Sequence, residues 1–483
     1  MLKLITMKRI YFQGLLLILI SFVFSELYSQ KVIDKKLLPG SWMGHLAVQG
    51  VEMRMIFNIK INEKDSLIVT ADSPDQGAKN IPIGPVFING ETVNIKAPLL
   101  LGEYKGDLVN DTTFKGTWSQ RGVIFPLTIV KLSGQFSLNR PQEPKPSFPY
   151  ISEDITFLNS KSNVRLAGTL TLPKGNGPFK AAILITGSGG QNRNEEIQGH
   201  KPFLVISDWL TRNGIAVLRF DDRGIGKSEG SQFEATSEDF ATDVEAAFEF
   251  LKTQKKINPK AIGLIGHSEG GLIAPIVAST NPEISFIVSL AGPGVTGQQI
   301  ILRQSEEAGR ASGIPEQNIK KSTEINKKLF AVLRKEKDNK KAEKKILALY
   351  REILQEEKMP AESIDRAVSS LKTTFGESSY TWYRYFLTTD AANFWKKVKC
   401  PVLALNGEKD MQVSPVENLP AIEKAVTSNG NKSVRAIKLP GLNHLFQHSQ
   451  KGLPSEYGKI DETFSPEALK IISDWINSLI LVN

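Results

Sequence analysis

The stretch Ile262-Gly263-Leu264-Ile265-Gly266-His267-Ser268-Glu269-Gly270-Gly271 decides how this 483-residue chain is read. Ile262–Ile265 is a short apolar run of buried-strand type, and a helical pattern starts at Gly270. A serine held between a strand and a helix sits on a turn so tight that only small residues fit two positions before and after it. Gly266 and Gly270 meet that steric demand. The helix beginning behind Ser268 adds a positive dipole end, which favours developing negative charge. A chance Gly-x-Ser-x-Gly in a glycine-rich loop would lack the strand before it and the helix after it. Ser268 is therefore the candidate nucleophile.

A serine hydroxyl needs a base to take its proton, and the chain holds only five histidines, so the search is short. His45 lies far upstream, in a different kind of sequence. His267 is the neighbour of the serine, turned elsewhere by the same tight turn, and His200 reads as a loop or capping residue before the Pro202 helix. His444, in Pro440-Gly441-Leu442-Asn443-His444, follows the strand run Val434–Leu439 and is the preferred base, with His448 one turn further on the less favoured one. The orienting acid belongs between serine and histidine in chain order. Pro401–Asp410 supplies a buried strand, a glycine turn and Asp410; Glu408 on the same loop and the remoter Asp390 are rivals. Asp410 is preferred because the apolar Met411–Val413 stretch behind it implies a fixed position. Its role is to hold the imidazole tautomer and stabilise the imidazolium.

Acyl transfer also needs donors where a carbonyl oxygen becomes negative. The backbone N–H of Glu269 is one expected donor. The second comes from Thr186-Gly187-Ser188-Gly189-Gly190, with Ser188 N–H preferred and Gly189 second. A phosphate-binding reading of that glycine loop lacks the lysine of a P-loop. No cofactor and no metal are expected: Cys400 is the single cysteine, which excludes a disulfide framework and a cysteine-based zinc cluster.

Outward from this centre, short apolar runs alternate with helical ones: Ala181–Thr186, Pro202–Arg212, Ala216–Phe220, Ser237–Leu251, Phe286–Leu290, Val402–Leu405, Pro415–Val426, Val434–Leu439 and Pro466–Leu479. Ile155–Asn159 and Val164–Leu172 read as an antiparallel pair ahead of them. The pattern predicts a mostly parallel sheet covered on both faces, over residues 151–483. Between about 295 and 390 the alternation gives way to charged helices such as Asn318–Leu333 and Lys344–Gln355. That is too long for an ordinary connection and reads as a helical cap. Upstream, residues 31–135 alternate in short segments (Met53–Ile61, Ser66–Ala71, Thr92–Lys96, Thr113–Trp118, Val123–Leu132), as in a small all-β domain. Trp42 and Trp118 could stack on a sugar, with core packing preferred. Four prolines among Arg140–Pro149 predict an extended spacer within a linker over 136–150.

Composition sets the limits. With 41% hydrophobic and 23% charged residues, a disordered chain, a collagen-like repeat and a multi-span membrane protein are excluded. A net charge of +9 spread over this length lacks the concentrated basic face of a nucleic-acid binder, so no nucleic-acid partner is expected. Lys3, Lys8 and Arg9 followed by an apolar run from Ile10 to Phe24 predict a signal peptide over 1–29, cut near Ser29. Export to the periplasm or beyond, with no stable membrane insertion after cleavage, is the expectation. Without a cysteine near the cut, a lipoprotein is excluded.

The half from about Tyr150 onward resembles the α/β-hydrolase superfamily, and more closely bacterial secreted serine esterases related to the serine aminopeptidase and acylaminoacyl-peptidase branches. The resemblance rests on Thr186–Gly190 with Arg193 downstream, Leu218-Arg219-Phe220-Asp221-Asp222-Arg223-Gly224-Ile225-Gly226-Lys227-Ser228, Gly266–Gly271, Gly407–Asp410 and Asn443-His444. It implies an eight-stranded sheet and a triad at Ser268, Asp410 and His444, with Asp222-Arg223-Gly224 as a structural turn. Thr186 departs from the histidine that many relatives carry there. The expected activity is hydrolysis of a carboxylic ester through an acyl-enzyme on Ser268, with a small-molecule ester or short peptide as substrate. A peptidase for short or N-blocked peptides is the nearest alternative, with Glu306 or Glu307 of the cap holding a peptide terminus. A non-catalytic protein, or one binding glycans or surfaces through the β domain, is the alternative of another class.

Overall fold

The computed structural model describes residues 33–480 apart from 49, 50, 77, 121, 135 and 234, and the expected export signal lies outside the described residues. The chain divides into two compact units, Met1–Ser137 and Leu138–Asn483.

Among the described residues of the first unit, nine strands form one antiparallel sheet: β1 (Gly40–Val48), β2 (Val51–Ile61), β3 (Leu67–Ser73), β4 (Ala78–Pro82), β5 (Val86–Asn89), β6 (Thr92–Ala97), β7 (Gly102–Asn110), β8 (Thr113–Gln120) and β9 (Val123–Lys131). Their order is β4-β3-β2-β1-β9-β8-β7-β6-β5, so the first and last strands pair in the middle. The segment between β4 and β5 bonds to both outer arms: Ile83 N–H donates to Val69 O at 3.1 Å and Gly84 N–H to Lys96 O at 2.7 Å. The sheet therefore curls into a half-barrel. Alternate residues face inward, and Trp42, Phe57, Tyr104, Phe114 and Trp118 fill the interior. Trp42 and Trp118 are fully buried, which removes them as stacking platforms for a sugar. His45 is exposed on β1.

The proline-rich stretch differs from the expected spacer. From Leu138 it belongs to the second unit and is bonded along it. The Arg140 guanidinium donates to the carbonyls of Gly199, Gly458 and Ile460 at 2.9–3.2 Å. Gln142 Oε1 accepts the N–H groups of Thr463 and Phe464 at 2.6 and 3.0 Å. Proline rules out a helix here, but polar side chains between the prolines still find carbonyl and amide partners.

The second unit is built on β10 (Ile151–Asn159), β11 (Val164–Leu172), β12 (Phe179–Ile185), β13 (Ala216–Phe220), β14 (Ile257–His267), β15 (Ile287–Leu290), β16 (Val402–Gly407) and β17 (Val434–Leu439). These eight strands lie in the order β10-β11-β13-β12-β14-β15-β16-β17. β10 and β11 pair antiparallel, β11 pairs antiparallel with β13, and the strands from β13 to β17 run parallel. This is the α/β-hydrolase fold. Alternation along β12 divides the core, with Ala181, Ile183 and Ile185 on one face and Ala182 and Leu184 on the other. The first face packs against α2 (Ser237–Lys252) and α3 (Gly270–Ala278), the second against α1 (Pro202–Arg212) and a last helix, Pro466–Ser478. From β12 the chain builds first toward β13 and then returns to place β14 on the other side. That reversal opens a crevice at the carboxyl ends of the strands, where ligands bind in open α/β sheets.

Between β15 and β16 come the helices α4 (Gly297–Ala311), α5 (Glu316–Lys335), α6 (Asn339–Glu356), α7 (Ala361–Thr374) and α8 (Tyr380–Thr388). An antiparallel bridge from Thr296 to Asp390 closes the base of this insertion. It has its own small core around Leu329, Phe330, Leu333, Ile346 and Tyr380. No helix among the described residues is long and apolar enough to cross a membrane.

One buried ion pair ties the turn after β13 to α2. Arg223 meets Asp243 through two bonds of 2.8 and 2.9 Å, and Asp243 also accepts Asn159 Nδ2 at 2.7 Å. Removing one partner leaves an uncompensated buried charge, so Arg223→Ala should destabilise the second unit by about 3–5 kcal/mol. Chemical denaturation followed by circular dichroism measures this. Arg223→Lys, which keeps the charge but loses the fork, should fall between that variant and the wild type.

Candidate active site

Each parallel strand delivers one part of the site at its carboxyl end. β14 ends at His267, and Ser268 turns the chain into α3 with a left-handed φ of +52°. Only close steric fit permits this. A Cβ on Gly266 would lie 2.0 Å from the Gly270 carbonyl oxygen, and one on Gly270 would lie 2.2 Å from that of Ile185. Ser268 N–H donates to Leu290 O and Ser268 O accepts from Gly271 N–H, both at 2.9 Å, which pins the turn between β15 and α3. Among the described residues, Ser268 Oγ makes no hydrogen bond, and its hydroxyl is uncommitted.

Asp410 follows β16 and His444 follows β17, and the fold brings them together: His444 Nδ1 lies 2.8 Å from Asp410 Oδ2. The other carboxylate oxygen, Oδ1, accepts the backbone N–H groups of Gln412 and Val413 at 2.8 and 2.9 Å. Asp410 is thus held by amides as well as by the apolar chain behind it. With Nδ1 committed to the carboxylate, Nε2 of His444 is left to act. His444 reaches the elbow through His267, the residue before Ser268: the two rings lie 4.8 Å apart.

The rivals are placed elsewhere. Glu408 accepts Gly441 N–H and faces Lys438, and Asp390 caps Ala392 N–H. His448 is exposed and paired with Glu462. His200 is buried between Thr463 Oγ1 and Tyr457 O at 2.9 Å each, and burial pushes its pKa down to about 4, so it stays neutral.

The loop after β12 supplies backbone donors. Gly187 N–H is already taken, at 2.7 Å, by Glu195 Oε1. Gln191 N–H is taken by Asp222 Oδ2 at 2.8 Å. Ser188 and Glu269 line one cleft together with Ser268, whereas Gly189 does not. The cleft is narrow, about 50 Å³, and is walled by Pro293, Ile300, Ile301, Trp382, Phe386 and Val413, with the amides of Gln304 and Gln412 at its polar edge. Five of these residues, Ile300, Ile301, Gln304, Trp382 and Phe386, come from the helical insertion. Glu306 and Glu307 do not line it. Glu306 lies between Arg303 and Arg310 and accepts from Thr323 Oγ1, and Glu307 pairs with both arginines at 2.9 and 3.1 Å. The expectation that they hold a peptide terminus is therefore corrected: i,i+3 and i,i+4 spacing on α4 satisfies them locally.

Three buried acids surround the elbow, and the sequence reading gave none of their side chains a role. Glu269 accepts Ser237 Oγ at 2.6 Å and Trp382 Nε1 at 2.7 Å, and burial raises its pKa. Asp222 lies 2.7 Å from Thr186 Oγ1, which explains how a threonine serves at that position: it ties the loop to the turn after β13. Burial pushes the Asp222 pKa up to about 8, with Glu195 and Glu269 adding repulsion. Glu195 also meets His267 Nδ1 at 2.9 Å. A double-acid turn (Asp221-Asp222) beside a glycine loop was the available signal for Asp222.

A raised carboxyl pKa means the folded state holds a proton that the unfolded chain releases. Stability from Asp222 is present below about pH 4 and is lost as pH rises toward 8. Asp222→Asn mimics the protonated acid, so it should remove a loss on the order of a few kcal/mol between pH 5 and 8. Denaturant unfolding of both proteins at the two pH values measures the difference.

Comparison with known proteins agrees with this architecture. The family model described as serine aminopeptidase, S33, matches residues 203–450, just over half of the chain. Esterase EstD of Thermotoga maritima is 25% identical over 299 residues, covering 61% of each chain. Thiohydrolase aneE of Aspergillus aculeatus is 31% identical over 176 residues, covering 33% of this chain and 51% of its own. The chain thus spans less than two thirds of the length of these curated relatives. The solved esterase Pf2001 of Pyrococcus furiosus aligns over 72% of this chain and 98% of its own, at 19% identity and a TM-score of 0.41, too low to add to the fold described above. With the family model lying across α1, the elbow, the acid and the histidine, the chain belongs to the serine aminopeptidase S33 family of α/β hydrolases.

Proposed function

We propose that this protein is an exported serine esterase that cleaves small, uncharged carboxylic esters through an acyl-enzyme on Ser268. The observation that carries the reading is the 2.8 Å contact of His444 Nδ1 with Asp410, on the loop beside an elbow that holds Ser268 at φ +52°. In this mechanism His444 Nε2 takes the Ser268 proton while Oγ attacks the ester carbonyl. The oxygen that becomes negative is met by the N–H groups of Glu269 and Ser188, at the amino end of α3. His444 returns the proton to the departing alcohol, then activates the water that releases the acid. Asp410 stabilises the imidazolium without taking its proton.

The cleft argues for the substrate class. Its walls are apolar, its polar edge is amide, and its one carboxyl group, Glu269, is buried against Ser237 and Trp382. Among the described residues that line it, none offers an exposed carboxylate to an ammonium group, so an ester with a short uncharged acyl chain fits better than a free peptide amino terminus. The helices from α4 to α8 act as the cap that walls the acyl side. The name of EstD supports esterase chemistry. Export rests on the N-terminal sequence alone.

Ser268→Ala should abolish labelling by a fluorophosphonate probe and lower kcat on p-nitrophenyl butyrate by about 10³-fold or more. A folded wild type that takes up no probe removes the serine mechanism. Asp410→Asn should keep the fold and KM while kcat falls roughly 10⁴-fold. For substrate class, kcat/KM on p-nitrophenyl acetate or butyrate should exceed that on aminoacyl p-nitroanilides. The reverse ranking would favour the peptidase.

A further inference from the structure

The proposed chemistry leaves one buried pair without a task. Glu195 is 1% exposed and holds a left-handed φ of +51°, a conformation glutamate seldom adopts. Its Oε1 accepts Gly187 N–H at 2.7 Å and meets His267 Nδ1 at 2.9 Å. On the far side of the ring, His267 Nε2 lies 3.0 Å from the carbonyl oxygen of His444. Both ring nitrogens therefore face acceptors, and both are served only when the imidazole carries two hydrogens. Burial opposes that charge, but the Glu195 carboxylate and its hydrogen bond outweigh it and raise the His267 pKa.

The bonds run in series across three loops that meet nowhere in sequence. Gly187 opens the loop that carries Ser188, which lines the cleft. His267 is the last residue of β14, one peptide before Ser268. His444 is the base itself, anchored by its main chain at one end and by Asp410 at its ring. A Cβ on Gly187 would lie 3.2 Å from Ser268 Cβ and 3.4 Å from Glu195 Oε1, so loop, elbow and carboxylate touch with no room to spare.

We infer that Glu195 and His267 are positioning residues that form one strut, Gly187 N–H···Glu195···His267···O=C His444, which sets the oxyanion donor and the base at fixed distances from Ser268. The strut touches no substrate. Its effect is on the tetrahedral stage, where donor, nucleophile and base must align together, and not on capture of the ester. Glu195→Gln keeps the size and an oxygen able to accept from both Gly187 and His267, but it removes the negative charge that favours the doubly protonated ring, so His267 gives up a hydrogen and with it one bond of the series. His267→Gln removes the ring and leaves the Glu195–Gly187 bond in place.

The inference rests on Ser268 being the nucleophile, and the experiment separates the two. Full-length wild type, Glu195→Gln, His267→Gln and the double variant are first checked for folding by circular dichroism and for fluorophosphonate labelling. Kinetics are then read on p-nitrophenyl butyrate, with an alkylboronic acid as tetrahedral mimic. Each single variant should lose roughly 10- to 100-fold in kcat with KM nearly unchanged, and the boronic acid should weaken by a matching factor. The double variant should be no worse than the weaker single, as for parts of one unit. An active, labelled wild type beside a folded Glu195→Gln of unchanged kcat overturns the strut and leaves the serine mechanism standing. Effects confined to KM, or single losses that multiply in the double variant, overturn it as well. If Glu195→Gln does not fold, His267→Gln decides by the same readings. A folded wild type that neither labels nor turns over the ester is a failure of the serine mechanism itself.

Discussion

The elbow of the second unit hangs on the left-handed backbone of Ser268. A non-glycine residue at φ +52° is uphill by itself, and it survives here because the strand before it and the helix after it leave no alternative path. Gly266 and Gly270 are pressed to within contact of neighbouring backbone, and Gly271 packs against Gly292 in the same way. The strain lifts the hydroxyl clear of the sheet and starts α3 directly behind it. The amide of Glu269, which caps that helix, is thereby left without a helical partner.

Around this turn the protein distributes carboxylates by environment, and their different surroundings set different tasks. Asp410 accepts two backbone amides on one oxygen and meets an imidazole with the other. Asp222 is enclosed and close to two other acids, so it holds its proton and acts as a neutral tether for the glycine loop. Glu269 is buried against a hydroxyl and an indole and joins α8 of the insertion to the elbow. The apolar wall and the elbow are thus physically one object, and the cleft takes its shape from their junction.

The half-barrel of the first unit stands apart in chemistry. Trp42, Phe57, Tyr104, Phe114 and Trp118 are consumed by its own core, while Phe87 is exposed. Short strands β4 and β5 are bridged by Ile83 and Gly84, which limits the open edge that a nine-stranded sheet would otherwise present.

How far the sequence can be read depends on the range of the forces involved. Strand and helix limits such as Val164–Leu172, Pro202–Arg212, Ala216–Phe220 and Val434–Leu439 were legible because apolar periodicity is a local property. So was the strand-turn-helix at Ser268, whose glycines answer to sterics over five residues. β1 and β7 are harder to delimit in the sequence, because glycine and polar residues interrupt their alternation. The linker misled for a related reason: proline forbids a helix but says nothing about where Arg140 and Gln142 find partners. What the sequence by itself determined is the sheet and the strand-turn-helix at Ser268. Only the tertiary structure decided which charges meet, because Glu195 and His267 lie 72 residues apart and Glu269 and Trp382 113. A buried carboxylate must be partnered, but nothing near it in the chain names the partner.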